Sequence, residues 1–112
     1  MPPSGPYDVL LTAGAEQDLE AIYDYIADYD AVENANYVLD QIAALFESLA
    51  QFPERGSYPR ELLELGIKTF RQVAFKPYRI IYRVAHVQVF VYLIADERRD
   101  LQGVVLRRLT HA

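Results

Sequence analysis

The sequence predicts an α+β domain, an N-terminal strand and an antiparallel helical hairpin packed on an antiparallel β-sheet, with a short C-terminal helix. Three observations predict it. Leu19, Ile22, Ile26 and Tyr29 recur at helical spacing, and so do Val38, Ile42, Leu45 and Leu49. Three β-like runs follow in the second half: TFRQVAF (69–75), YRIIYRV (78–84) and VQVFVYLI (87–94). The closing stretch after Asp100 returns to helical spacing through Leu101, Val104, Val105 and Leu109.

Each element has local reasons. YDVLLT (7–12) is a short apolar run and reads as the first strand. Thr12 is placed to cap the first helix, with Glu16 and Asp18 near its positive end. Asp30 stands three residues before Glu33, the spacing of a capping box for the second helix. Leu39 and Phe46 widen that helix's apolar stripe, and Pro53 and Gly56 end it. The short link between the helices makes them antiparallel neighbours. Residues 53–66 read as a loop with room for one helical turn near Leu62, Leu63 and Leu65. Ala85–His86 is short enough for a tight hairpin turn, although it lacks the Asn-Gly chemistry such turns prefer. Gly103 weakens the last helix.

The chain has 112 residues, which fits a single domain over 1–112 with 1–6 as a loose tail. Hydrophobic residues make up 52%, enough for a core. There is no cysteine, so thiol chemistry, disulfides and cysteine zinc sites are excluded, and a reducing cytoplasm suits the chain. No apolar run approaches a membrane span of about 18 residues. MPPSGP lacks the basic and apolar regions of a signal peptide.

Charge is unevenly placed. The net charge is −5. Residues 1–54 hold eleven Asp or Glu and no Lys or Arg, whereas 55–112 hold eleven Lys or Arg and five Asp or Glu. The halves therefore carry −11 and +6. The total argues against a general nucleic-acid binder. The asymmetry suggests an anionic partner for the second half, or two partners for two faces.

Little enzyme chemistry is legible. There is no phosphate-binding glycine loop and no nucleophile elbow. His86 and His111 lack a ligand set at metal spacing and read as ordinary residues. Glu16, Glu20, Asp24 and Asp28 stand at i, i+4 spacing and read as a solvated helix face before they read as acid–base or metal groups. Tyr23, Tyr25, Tyr29 and Tyr37 divide between core and partner contact. No cofactor is implied. The arginines carry the remaining interest. In YRIIYRV, Tyr78, Ile80, Tyr82 and Val84 share one strand face, and Arg79, Ile81 and Arg83 the other. Arg71, Arg79, Arg83, Arg98 and Arg99 come from three neighbouring segments and could converge on one concave sheet face. There they would bind phosphate or carboxylate, or they would simply be solvated.

AEQDLEAIYDYIA (15–27), LAQFPERG (49–56), PYRIIYRV (77–84) and ERRD (97–100) together resemble the RelE/ParE superfamily of type II toxin–antitoxin toxins, most closely the ParE branch. The resemblance runs over roughly residues 7–109. It implies a cytoplasmic toxin neutralised by a cognate ParD-like antitoxin, with a segment that folds on binding. For the ParE branch it implies inhibition of DNA gyrase and of growth. For the RelE branch it implies ribosome-dependent cleavage of mRNA, with Arg79 matching the strand arginine used in catalysis, and a third reading is an inactive relative that acts as a binding partner. The tyrosine those ribonucleases often carry after the last strand is missing from ADERRDLQGVVLRRLTHA, and the corresponding loop offers only Lys68 and Lys76. These departures favour the ParE branch, with Arg71, Arg79, Arg83, Arg98 and Arg99 as a target-binding set.

Overall fold

The computed structural model describes residues 6–110. The elements run β1 (Asp8–Leu11), α1 (Ala13–Tyr29), α2 (Val32–Gln51), α3 (Arg60–Leu63), β2 (Phe70–Phe75), β3 (Tyr78–Ala85), β4 (Gln88–Asp96) and α4 (Gln102–Thr110). The sheet order is β1-β4-β3-β2. β2, β3 and β4 are antiparallel, as their short links require. β1 adds to β4 in parallel, because the hairpin between them carries the chain back across the sheet. The sheet is therefore mixed rather than purely antiparallel.

The sheet is covered on both faces. The α1–α2 hairpin covers one, burying Ala15, Ile42 and Leu49 against Val73, Ile80, Tyr82, Val89, Val91 and Ile94. On the other, Leu62, Leu101, Val105 and Leu109 close over Phe70, Ile81 and Leu93. The alternation expected for β3 holds, with Ile80 and Tyr82 in the first core and Ile81 in the second. β4 departs from alternation. Its register skips from Val91 opposite Tyr82 to Leu93 opposite Ile81, leaving Tyr92 as the extra residue of a bulge. The bulge lets Val91 and Ile94 share the hairpin face while Leu93 turns to the other.

Several local expectations change. Thr12 does cap α1, its Oγ1 accepting the Ala15 N–H at 3.2 Å. Asp30 does not cap α2. It ends α1, its own N–H bonded to the Ile26 carbonyl, and its carboxylate accepts from Asn34 instead. Ala31 is the first residue of α2's cap, so the register lies one residue later than the capping-box spacing suggests. Tyr29 is not in the core stripe: it is 78% exposed and belongs to neither hydrophobic cluster. The β3–β4 turn is His86–Val87, because Ala85 pairs with Gln88. His86 takes a left-handed conformation (φ 56°), which suits the twist of a two-residue hairpin. His111 and residues 1–5 of the expected tail lie outside the described residues. Among the described residues, no helix is long and apolar enough to cross a membrane.

Candidate functional site: a divided arginine set and an apolar groove

Arg79 lies on the sheet face covered by α3 and α4. Its guanidinium donates to Glu61 Oε2 at 2.6 Å and Oε1 at 2.9 Å, and its Nε donates to Gln72 Oε1 at 2.9 Å. Both side chains of the ion pair are about 15% exposed, at 14% and 16%. The Arg79 hydrogen bonds hold the Glu61 carboxyl below its ordinary pKa, against an opposing effect of burial. The planar fork is thus occupied by the chain's own carboxylate. It fixes the one-turn helix α3 to the sheet rather than presenting a free cation.

Arg99 reaches the same place. A cleft of about 340 Å³ is lined by Arg60, Glu61, Glu64, Arg79, Glu97, Arg99, Asp100, Leu101 and Gln102. Three arginines face four carboxylates there, so the cleft has no excess of positive charge. Arg83 shares Arg79's strand face but stands four residues along, roughly 13 Å at strand rise. It is exposed and has no ion-pair partner among the described residues.

The other two arginines lie elsewhere. Arg71 is opposite Tyr82 in register, so it points to the hairpin face. It donates to the Gly56 carbonyl at 2.9 Å and lies 4.7 Å from the centre of the Tyr58 ring. It ties down the loop after α2. The loop runs beside β2, with Ser57 and Gln72 exchanging both backbone hydrogen bonds. Arg98 pairs with Asp96 at 2.6 Å and lowers that carboxyl's pKa, but the arginine side chain is 72% exposed. The structure therefore brings Arg79 and Arg99 into one cleft and sets Arg71, Arg83 and Arg98 apart from it.

Two features have weaker or no marks in the charge pattern. The first is an apolar groove of about 320 Å³ between β1 and the hairpin, lined by Leu11, Leu19, Tyr23 and Leu39 and edged by Glu16 and Glu20. The second is a clamp. Asp18 accepts from Arg108 at 2.7 and 3.2 Å and from the Ile94 N–H at 3.0 Å, while Arg108 also donates to the Tyr92 carbonyl at 3.2 Å. β1 ends opposite Val91, so these side chains satisfy the stretch of β4 that β1 no longer covers. A signal did exist. Asp18 is in helical phase with Ala15 and Ile22, and Arg108 with Leu101 and Val105, which puts each charge on a buried stripe.

The fold and this geometry can be set beside known proteins. The family model described as the ParE toxin of the type II toxin–antitoxin system parDE matches residues 9–101. The chain belongs to the ParE toxin family. A curated relative, Toxin ParE3 of Caulobacter vibrioides (strain ATCC 19089 / CIP 103742 / CB 15), is 29% identical over 93 residues, covering 83% of this chain and 89% of that protein. Two solved structures share the fold. A chain of the chromosomal ParDE system from P. aeruginosa has a TM-score of 0.68 at 23% identity, covering 83% of this chain and 98% of its own. A chain of the RelBE2 toxin–antitoxin complex from Mycobacterium tuberculosis has a TM-score of 0.57 at 21% identity, covering 86% and 97%. The chain is thus a toxin of the ParE family of type II toxin–antitoxin systems, the branch that the four sequence segments most resemble.

Proposed function

We propose that this ParE-family toxin acts in the cytoplasm by binding DNA gyrase, and that a cognate ParD-like antitoxin neutralises it. The observation that carries binding over cutting is the state of Arg79. A ribonuclease would need that arginine free to stabilise charge on a phosphate in the transition state. Here Glu61 already takes both arms of its guanidinium at 2.6 and 2.9 Å. The exposed members of the set, Arg83, Arg98 and Arg99, are assigned to target binding, Arg98 while also paired with Asp96, whereas Arg71 holds the loop after α2 and Arg79 holds α3. The apolar groove along Leu11, Leu19, Tyr23 and Leu39 has the chemistry to take the apolar face of an antitoxin segment that folds on binding.

Expression without an antitoxin tests this reading. It predicts double-strand breaks and a DNA-damage response while translation continues. An immediate stop in translation with mRNA cut at codon-positioned sites, and no breaks, would overturn it in favour of the RelE-type ribonuclease.

A further inference from the structure

The tip of the α1–α2 hairpin carries an aromatic surface that nothing in the fold covers. Tyr25, Tyr29, Val32 and Tyr37 are 60%, 78%, 52% and 57% exposed. They are not scattered. Tyr25 and Tyr29 stand one helical turn apart with ring centres 4.9 Å from each other. Tyr37 meets Phe75 edge-on at 6.1 Å across the end of β2. Phe75 and Tyr78 are opposite in register at the β2–β3 turn. Two aromatic pairs, Tyr25–Tyr29 and Tyr37–Phe75, thus stand on and against the hairpin outside both hydrophobic clusters. A folded chain gains nothing from holding three tyrosines in water, whereas tyrosines placed this way are effective contact anchors.

The charge around this surface indicates what fits it. Residues 24–37 hold Asp24, Asp28, Asp30 and Glu33, all exposed, and no lysine or arginine. Nearby, Arg98 is already paired with Asp96, and Lys76 in the β2–β3 turn is a cation with no ion-pair partner among the described residues. The acids are not themselves a site. They set the sign of the field at an aromatic surface whose faces also attract cations. We propose that the hairpin tip docks a lysine- or arginine-bearing segment of a partner protein, its cations between the tip carboxylates and its apolar side chains on Tyr25, Tyr29 and Tyr37. This docking is separate from the apolar groove at the other end of α1 and holds whichever enzyme the toxin acts on.

The test uses the full-length protein and two labelled helical peptides of equal length, one with lysines along one face and leucines along the other, and one with glutamates in place of the lysines. Fluorescence anisotropy gives the affinity for each. A Tyr25→Ala/Tyr29→Ala variant and an Asp28→Lys variant probe the tip. A Phe52→Ala/Glu47→Gln variant, at the opposite end of α2, controls for loss of any exposed aromatic and acid. Circular dichroism confirms folding, since every altered side chain is exposed. The expected result is at least tenfold preference for the lysine peptide, weakened at least tenfold by either tip variant and unchanged in the control. Equal loss in the control would mean that only the overall charge of the hairpin attracts the peptide, and would overturn the proposal. So would equal affinity for both peptides, or binding of neither. Sedimentation of the protein alone covers the remaining occupant: a dimer dissolved by the tip variants would assign the surface to a second copy of this chain instead.

Discussion

The Glu61 carboxylate receives two hydrogen bonds from Arg79, and a third group, Gln72, completes the arginine's coordination. Removing either ion leaves the other partly buried and unpaired. Arg79→Ala is expected to lower stability by about 2 kcal/mol in urea unfolding. An alanine at this position would therefore report folding before it reported any activity. The pair also gives a defined acid response. The folded-state pKa of Glu61 lies below its ordinary value of 4.5, so unfolding takes up a proton over that range. Its stabilisation is present in full above the ordinary value and is lost as pH falls through the lower folded one. Glu61→Gln should be less stable than the parent at pH 7 and should close that gap as the solution is acidified. A gap that widens on acidification would contradict the assignment. A second residue acts through its hydroxyl. Tyr82 is fully buried, and its oxygen accepts the Gly56 N–H at 3.0 Å. Burial raises its pKa, so it stays neutral. Tyr82→Phe strands that N–H and should cost about 1–2 kcal/mol. Gly56 is equally constrained: a Cβ there would sit 2.5 Å from the Gln72 carbonyl oxygen, so Gly56→Ala should disrupt the loop.

At the scale of elements, the Asp18–Arg108 clamp joins the first and last helices across the uncovered part of β4. Gly14 makes room for it, since a Cβ there would lie 3.1 Å from the Arg108 guanidinium. A double-mutant cycle with Asp18→Asn and Arg108→Met should give a coupling of about 1–2 kcal/mol. Either change should also speed hydrogen exchange at the Ile94 amide, whose acceptor is Asp18. Both helices, their stripes and all three antiparallel strands were legible because each repeats its period several times. What was not legible depended on single residues. The bulge at Tyr92 breaks no hydropathy rule, since every neighbour is apolar. The Asp30–Glu33 spacing fits a capping box, yet Asp30 is taken up as the end of α1, and a spacing motif cannot tell which of two abutting helices owns it. Tyr29 fits its stripe by phase, but it is 78% exposed and stands against Tyr25 rather than in the core.

Across the whole molecule, the asymmetry of charge survives only in part. The outer face of the hairpin is acidic with exposed tyrosines, whereas the arginines divide between the two faces of the sheet and several are paired with carboxylates. The family was legible because four segments in order outweigh the weakness of each. The arginine set was only partly legible. Strand alternation placed Arg79 and Arg83 on one face, but it could not show that Arg71 sits on the other. Nor could it show that Glu61, from a loop without strong pattern, would close on Arg79. That closure is the observation on which the proposed binding role rests. The most direct measurement is a gyrase supercoiling and cleavage assay with purified, antitoxin-free protein. The account predicts loss of supercoiling with accumulation of cleaved DNA, reversed by the cognate antitoxin. Normal supercoiling at large molar excess of toxin, with mRNA cleaved on the ribosome instead, would contradict it.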